Sequence, residues 1–461
     1  MAFDPITAET RFGCGLSPVV APPTDVAAML AALAGPDTAA TAHPIDSFDT
    51  ARNRIAAMSK ARSAIRNSGS DTAEADAKTL RKAFLRETQG HWIRWFTHSM
   101  LRRATTGDGL RERLAFFWSD HFTAKGKKNN LSKTTTAYAE SAIRPHVAGR
   151  FEDMLTAVVT HPLMIAYLDQ QNSIGPASTA ARKRENKKLG LNENLARELL
   201  ELHTLGVDGP YGQTDVRQLA ELLTGLNWSV HHGARYLPRL AEPGGERVLG
   251  KWYGAQQGTL EDIHNVLRDL ARHPATARHL AWKLAVHFVA DTPDPDMVAA
   301  MERAYLDTNG LLPEVYRAML DHPAAWTGTG TLKQPVAFIG SALRATGLTP
   351  ADTAHWEAHF VRRNLLRPLQ IMGQPWEDAD GPDGWPENDL AWRTPQGLAA
   401  RLQWALRVPE ILGREPTDPR QFVFDALGPQ PPERVRFAAE AAESRREGVA
   451  LVLMAPAFQR H

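Results

Sequence analysis

Apolar residues recur along this chain mostly at helical spacing, and polar residues fill the positions between them. A short helix is predicted between Thr24, as its N-cap, and Gly35, as its C′ residue. The alanine-rich stretch from Ser47 to Arg66 is polar and helix-prone. Thr72 to Arg103 reads as one long helix or two, with Phe84, Trp92, Trp95 and Met100 as its apolar positions. Gly107 and Gly109 break that pattern, and Leu110 to Phe122 follows as an amphipathic helix. After a basic loop from Thr123 to Lys133, helices are predicted over 134–147, 151–159 and 162–170.

A second basic, polar stretch runs from Asn172 to Gly190. It precedes a helix from Asn192 to Leu205, closed by Gly206, and another from Thr214 to Leu226 with Thr214 as its cap. Asn227 to Gly254 differs in kind. Trp228-Ser-Val-His-His, Gly233 and Ala234-Arg-Tyr-Leu predict a β-hairpin, to which Arg247–Tyr253 could add a third strand. Helices resume from Leu260 to Val289 and alternate with turns to the end, interrupted by a loop rich in Gly, Pro and Trp from Gly373 to Pro395. No repeat of solenoid period is visible. The fold class is therefore mainly α, a multi-helix globular fold with one small β-hairpin or sheet insertion near 227–254.

Composition narrows the function classes. A chain of 461 residues can bury a large core. Its net charge of +1 provides no global field that would recruit nucleic acid or membranes. Cys14 is the only cysteine, which excludes an intramolecular disulfide and cysteine-based zinc sites. The opening Met-Ala-Phe-Asp-Pro-Ile-Thr has no basic segment followed by an apolar one, so no secretory signal is expected and the default address is cytoplasmic. The apolar runs Val26–Leu33 and Val449–Met454 are far shorter than the roughly 20 residues that span a bilayer.

Candidate chemistry concentrates on Leu191-Asn-Glu-Asn-Leu-Ala-Arg-Glu-Leu-Leu-Glu-Leu-His-Thr-Leu-Gly. Leu195, Leu199 and Leu202 form its apolar face. Asn194, Arg197, Glu198 and Glu201 form a polar stripe beside it, in which Arg197 can bridge Glu193 and Glu201. Glu198 and Glu201, three apart on an α-helix, would place their Cβ atoms about 5–6 Å apart. Such carboxylates can share a proton or a divalent metal, the one cofactor this pattern suggests. The competing reading is a solvated helix face. His121 and His287, each followed by Phe and set among apolar residues, are candidate ligands or general bases, or else buried imidazoles satisfied by backbone carbonyls. Lys125, Lys127 and Lys128, with Arg182, Lys183, Arg184, Lys187 and Lys188, could rim one cleft for an anionic substrate, or be solvated loops. Nucleic acid is the weakest option, because no recognition motif accompanies the charge. Trp385 and its neighbours could stack on a ligand or plug the core. A P-loop, a dinucleotide fingerprint, His-Glu-x-x-His and a nucleophile elbow are all missing from the sequence.

Several segments together resemble a bacterial family, domain of unknown function 1800. They are Arg11-Phe-Gly-Cys-Gly-Leu-Ser-Pro, Leu114-Ala-Phe-Phe-Trp-Ser-Asp-His-Phe, the acidic helix above, Leu223-Thr-Gly-Leu-Asn-Trp, Lys283-Leu-Ala-Val-His-Phe, Met372-Gly-Gln-Pro, Pro382-Asp-Gly-Trp-Pro and Ala455-Pro-Ala-Phe-Gln-Arg. The resemblance covers nearly the whole chain and implies one helical module over 1–461, divisible at most into 1–107, 108–330 and 331–461. It also implies a partner. Genes of this family often neighbour those of domain of unknown function 1501, which resembles sulfatases and alkaline phosphatases and often carries a twin-arginine signal. Export with such a partner is then the alternative to a cytoplasmic address.

Two expectations follow. The first is a hydrolase-type enzyme acting on an anionic or carbohydrate-like substrate. Glu198, Glu201 and His121 would be its catalytic groups, and Asn194, Arg197, Lys283, His287 and Trp385 would lie around the substrate. The second is a non-catalytic partner or chaperone of a sulfatase- or phosphatase-like protein, in which the acidic helix is an internal salt-bridge network.

Overall fold

A computed structural model of the protein describes residues 3–127, 129–183, 190–415 and 417–461. The chain is mainly α-helical, with two small antiparallel sheets of two strands each. The longest element is a single helix, Ala73–Thr105. Near its end, Trp95 joins a hydrophobic core built from residues between 8 and 326, while Ile93, Phe96, Met100 and Leu101 join a second core with residues 336–458. This helix is therefore apolar on more than one side and stands between the two cores.

The Gly109–His121 helix begins where the Asp108 carboxylate accepts the Arg111 backbone N–H at 3.0 Å. Its buried positions Leu110, Leu114, Phe117, Trp118 and His121 recur at helical spacing and face the first core. The Pro274–Phe288 helix starts with proline in the first turn, where no N–H is needed, and buries Leu280, Leu284 and Phe288. Arg344, 0 % exposed, ties separate segments together. It donates to the carbonyls of Gly15, Arg103, Ala104 and Thr106 and pairs with Glu9 at 2.9 Å.

Several local expectations are corrected. The Val26–Ala34 helix is capped by Asp25, not Thr24; the carboxylate accepts the Ala28 N–H at 2.7 Å, and Gly35 is extended. The Gln213–Leu222 helix starts after Gly212, whose N–H the Asp215 carboxylate accepts, so Thr214 lies inside the first turn. The predicted 134–147 helix divides into α (Thr135–Tyr138), π (Ala139–Ile143) and 3₁₀ (Arg144–His146) turns. The acidic helix is α only over Asn194–Glu198 and π over Leu199–His203.

Strands β1 (Leu226–Ser229) and β2 (Gly233–Tyr236) form the predicted hairpin, with Leu226 opposite Tyr236. The segment expected to add a third strand instead folds on itself as β3 (Glu246–Val248) and β4 (Lys251–Tyr253). Leu249 and Gly250 between them both have positive φ, the backbone of a two-residue hairpin turn. Among the described residues, no helix is long and apolar enough to cross a membrane.

Candidate functional site

His279, Lys283 and His287 are spaced by four along the Pro274–Phe288 helix and so share one face of it. That face meets the end of the Gly109–His121 helix and the π turn of the acidic helix. The ring centroid of His121 lies 6.3 Å from that of His279 and 6.0 Å from that of His203. A helix end leaves carbonyls without intrahelical partners. Here the Nε2–H of His279 donates to the Leu202 carbonyl at 3.1 Å, and the Nε2–H of His121 to the His203 carbonyl at 3.3 Å. Burial pushes the His203 ring down to about 3 and the His279 ring to about 4, and holds His121 well below the usual imidazole range. Lys283 adds to each shift, and all three rings are neutral near pH 7.

A different pair lies at the other end of this face. The His287 Nδ1–H is 2.9 Å from both carboxylate oxygens of Glu387, which follows the Pro-Asp-Gly-Trp-Pro loop. The same loop reaches Asp120, where the Trp385 backbone N–H lies 3.0 and 3.1 Å from the two carboxylate oxygens. Gly384 packs directly on this carboxyl. Its φ is +79°, and a Cβ there would lie 2.8 Å from the Asp120 Cγ.

The two carboxyls are pushed in opposite directions. Burial, reinforced by Glu387, raises Asp120 well above the carboxylate range, against the Trp385 N–H and Lys283. Burial also tends to raise Glu387, but His287, Lys283 and Arg113 outweigh it and hold Glu387 below its ordinary value. Burial lowers Lys283, against the pull of Asp120, Glu387 and Asp383. Among the described residues, Lys283 forms no ion pair or side-chain hydrogen bond, so its ammonium faces these acids without being taken up by any of them.

The residues singled out from sequence are distributed as follows. Glu198 is raised by burial, then by Glu201 and Asp383, and so lies at the edge of the same acidic group. Glu201 is held by Arg197 at 3.3 Å; Arg197 also pairs with Glu193 at 3.3 Å and donates to Gln213. Asn194 is exposed at the start of the helix. His121 is brought together with His203 and His279, His287 with Glu387, and Trp385, through its backbone, with Asp120. Lys125 pairs with Asp378 and Lys127 with Asp169, so both are tied to acids. Lys128, Arg184, Lys187 and Lys188 lie outside the described residues. Sequence reasoning missed Glu387, Asp383, His203 and His279. The four-residue spacing of His279, Lys283 and His287 was the available signal for the last.

Asp120 and Trp385 also line a cavity of about 130 Å³ between the Ala73–Thr105 and Gly109–His121 helices and the loop at 374–385. Across Pro375, Trp376 and Glu377 lies a groove of about 720 Å³ whose walls carry Lys133, Arg362, Arg363 and Arg367. Among the described residues these four make no ion pair; the Lys133 ammonium sits 3.8 Å from the centre of the Trp92 ring.

The segments Trp118-Ser-Asp-His-Phe, Glu201-Leu-His, Lys283-Leu-Ala-Val-His and Pro382-Asp-Gly-Trp-Pro, distant in sequence, thus meet around one set of groups. The model of the family DUF1800, described as a protein of unknown function, matches residues 9–460. The chain belongs to the DUF1800 family. Comparison of this DUF1800 protein with curated proteins and with solved structures found no match. Among the described residues, no group of three or more His, Cys, Asp or Glu side chains is arranged to hold a metal ion. The divalent metal suggested by Glu198 and Glu201 therefore finds no ligand set among the described residues, and Glu201 turns to Arg197 instead.

Proposed function

We propose that this DUF1800 protein is a hydrolase-type enzyme working by general acid–base chemistry at Asp120 and Glu387. The observation that carries this reading is two carboxyls brought to one loop with different partners, the Trp385 backbone N–H on Asp120 and the His287 Nδ1–H on Glu387. Asp120 is displaced upwards and Glu387 downwards, the sense that acid and base roles within one site require. In the proposed step, water forms the new bond to the electrophilic centre and gives its proton to Glu387, which His287 orients. The departing oxygen takes the proton of Asp120 as its bond breaks. Lys283 would hold an anionic group of the substrate, with Glu198 at the edge. The unpaired cations of the neighbouring groove favour an anionic substrate, including an anionic carbohydrate. The chemistry thus moves from Glu201 and His121 to Asp120 and Glu387. The test is a screen of chromogenic phosphate esters, sulfate esters and glycosides with wild type, D120N and E387Q in parallel. An activity lost in both folded variants supports the proposal, and one that persists in either overturns it.

A second reading is favoured by the Glu193–Arg197–Glu201 network, the arrangement expected of a helix fixed by internal ion pairs. In it the chain is a non-catalytic partner of a sulfatase- or phosphatase-like protein of domain of unknown function 1501, and leaves the cytoplasm with it if that protein carries a twin-arginine signal. Co-expression followed by fractionation tests this. Finding the chain only in the cytosol, with and without the partner, rules out joint export, and failure to co-purify rules out the complex.

A further inference from the structure

A void of about 10 Å³, room for one water-sized occupant, lies between the first turns of the chain and the Pro335–Ala345 helix. It is lined by Arg103, Arg113, Lys333 and His461, together with Cys14 and Ser341. Arg103 is 6 % exposed, and Arg113 and Lys333 are each 2 % exposed. Burying a cation is costly unless an opposite charge or a full set of hydrogen bonds compensates it.

Among the described residues no carboxylate makes an ion pair with these three cations; Glu112 and Glu387 act on Arg103 and Arg113 only from a distance, each with a closer partner of its own. Glu9 is paired with Arg344, Glu112 with Arg144, Glu387 with His287 and Asp389 with Arg460. The Cys14 thiol is pushed up by burial to about 11 and stays neutral. The His461 Nδ1–H donates to the Thr10 carbonyl at 3.2 Å, so its bare Nε2 accepts one Arg113 N–H at 2.8 Å. The other two nitrogens of Arg113, Nε and Nη2, are buried without partners. Among the described residues, the Arg103 guanidinium and the Lys333 ammonium make no hydrogen bond or ion pair and rest against Phe116 and Phe458. At Lys333 the neighbouring charges only repel: burial, then Arg113 and Arg401, push it down to about 7.

We propose that this void is a binding site for a single halide-sized anion, chloride under ordinary conditions, held by Arg103, Arg113 and Lys333. The void is too small for sulfate or a carboxylate ligand, and its lining offers donors and positive charge without a counter-charge. The proposal does not rest on the hydrolase reading, although Arg113 also helps to hold Glu387 below its ordinary value.

The experiment is a thermal-unfolding titration of the full chain at fixed pH and ionic strength, replacing potassium gluconate by chloride or bromide. Wild type is expected to show a saturable rise in Tm of at least about 2 °C. K333M is expected to lose that response, whereas K82M, at an exposed helix position, retains it. Bromide line broadening in NMR, reversed by added chloride, reports occupancy directly and needs only wild type, so it stands even if K333M fails to fold. A Tm that is flat in halide, absence of bromide broadening, or an equal halide response in folded K333M would overturn the proposal and leave a water between a neutral lysine and two arginines.

Discussion

Replacing Glu387 by glutamine probes the heart of the site, because the substitution keeps shape and an acceptor while removing charge. The His287 Nδ1–H lies 2.9 Å from both oxygens, with the His287 side chain 4 % and the Glu387 side chain 22 % exposed. A hydrogen bond to a charged group contributes about 1.5–3 kcal/mol and one between neutral groups about 0.5–1.5 kcal/mol. E387Q should therefore cost about 1 kcal/mol at neutral pH. The pH dependence carries the stronger test. Glu387 is held below its ordinary 4.5, so its contribution is fully present above that value and is lost as pH falls through the lower folded-state value. The stability gap between wild type and E387Q should be constant from pH 8 to 5 and close in acid below 4.5.

Asp120 should behave in the opposite sense. Its folded-state pKa is raised, so the stability associated with its neutral form is complete below the unfolded value and is lost as pH rises through the folded one. D120N removes that loss and should be more stable than wild type at neutral pH, by about 0.5–2 kcal/mol as for other relieved sites of strain, while losing activity. Urea unfolding of the three proteins between pH 3 and 8 measures both curves. If D120N is less stable at pH 7, or if the E387Q gap does not change on acidification, the assignment of one protonated and one ionised carboxyl is wrong.

Other outcomes follow from the same structure. R344M should lose about 3–5 kcal/mol in urea unfolding, because it strands buried Glu9 and the carbonyls Arg344 serves, and adding E9Q should recover part of that loss. G384A should destabilise the chain by more than about 1 kcal/mol and abolish any activity, since it combines a positive φ with a Cβ pressed onto Asp120; a neutral G384A would mean the loop does not close there. E201Q breaks a pair whose side chains are 28 % and 37 % exposed and should change unfolding by well under 1 kcal/mol, leaving hydrolysis intact. Dialysis against a chelator should leave Tm unchanged; a fall would reveal a metal site that the described side chains do not form.

Much of the helical layout was legible because burial follows spacing. Leu110, Leu114, Phe117 and Trp118 announce their helix in the sequence, and the Phe151–Val159 helix ends where its apolar pattern does. The details that failed were those decided by competing polar groups. Asp25 rather than Thr24 caps a helix, since both can do so and only the chain path selects one. The acidic helix could not reveal its π turn. The Thr204 hydroxyl, 2.6 Å from the Leu199 carbonyl, and the His121 and His279 rings on the last carbonyls arrive from its end and from other helices. That turn matters, because the proximity argued for Glu198 and Glu201 assumed α geometry through residue 201.

The site itself was half legible for a related reason. Adjacent residues on a helix point apart, so Asp120 cannot orient His121, and the two are indeed used differently: the histidine inward on a carbonyl, the aspartate towards the loop at 382–387. His121 and His287 caught attention because histidine so often does chemistry, yet His121 is a donor that closes a helix end, and His287 serves by holding Glu387. Chemical tension resides instead in carboxyls whose partners come from far along the chain, Trp385 on Asp120 and His287 on Glu387. A single sequence shows which residues can ionise; it does not show which of them lose water and which gain a donor when the loop closes. That difference, not residue type, separates a structural imidazole from a candidate acid, and it is why holding Asp120 neutral should cost stability that D120N returns.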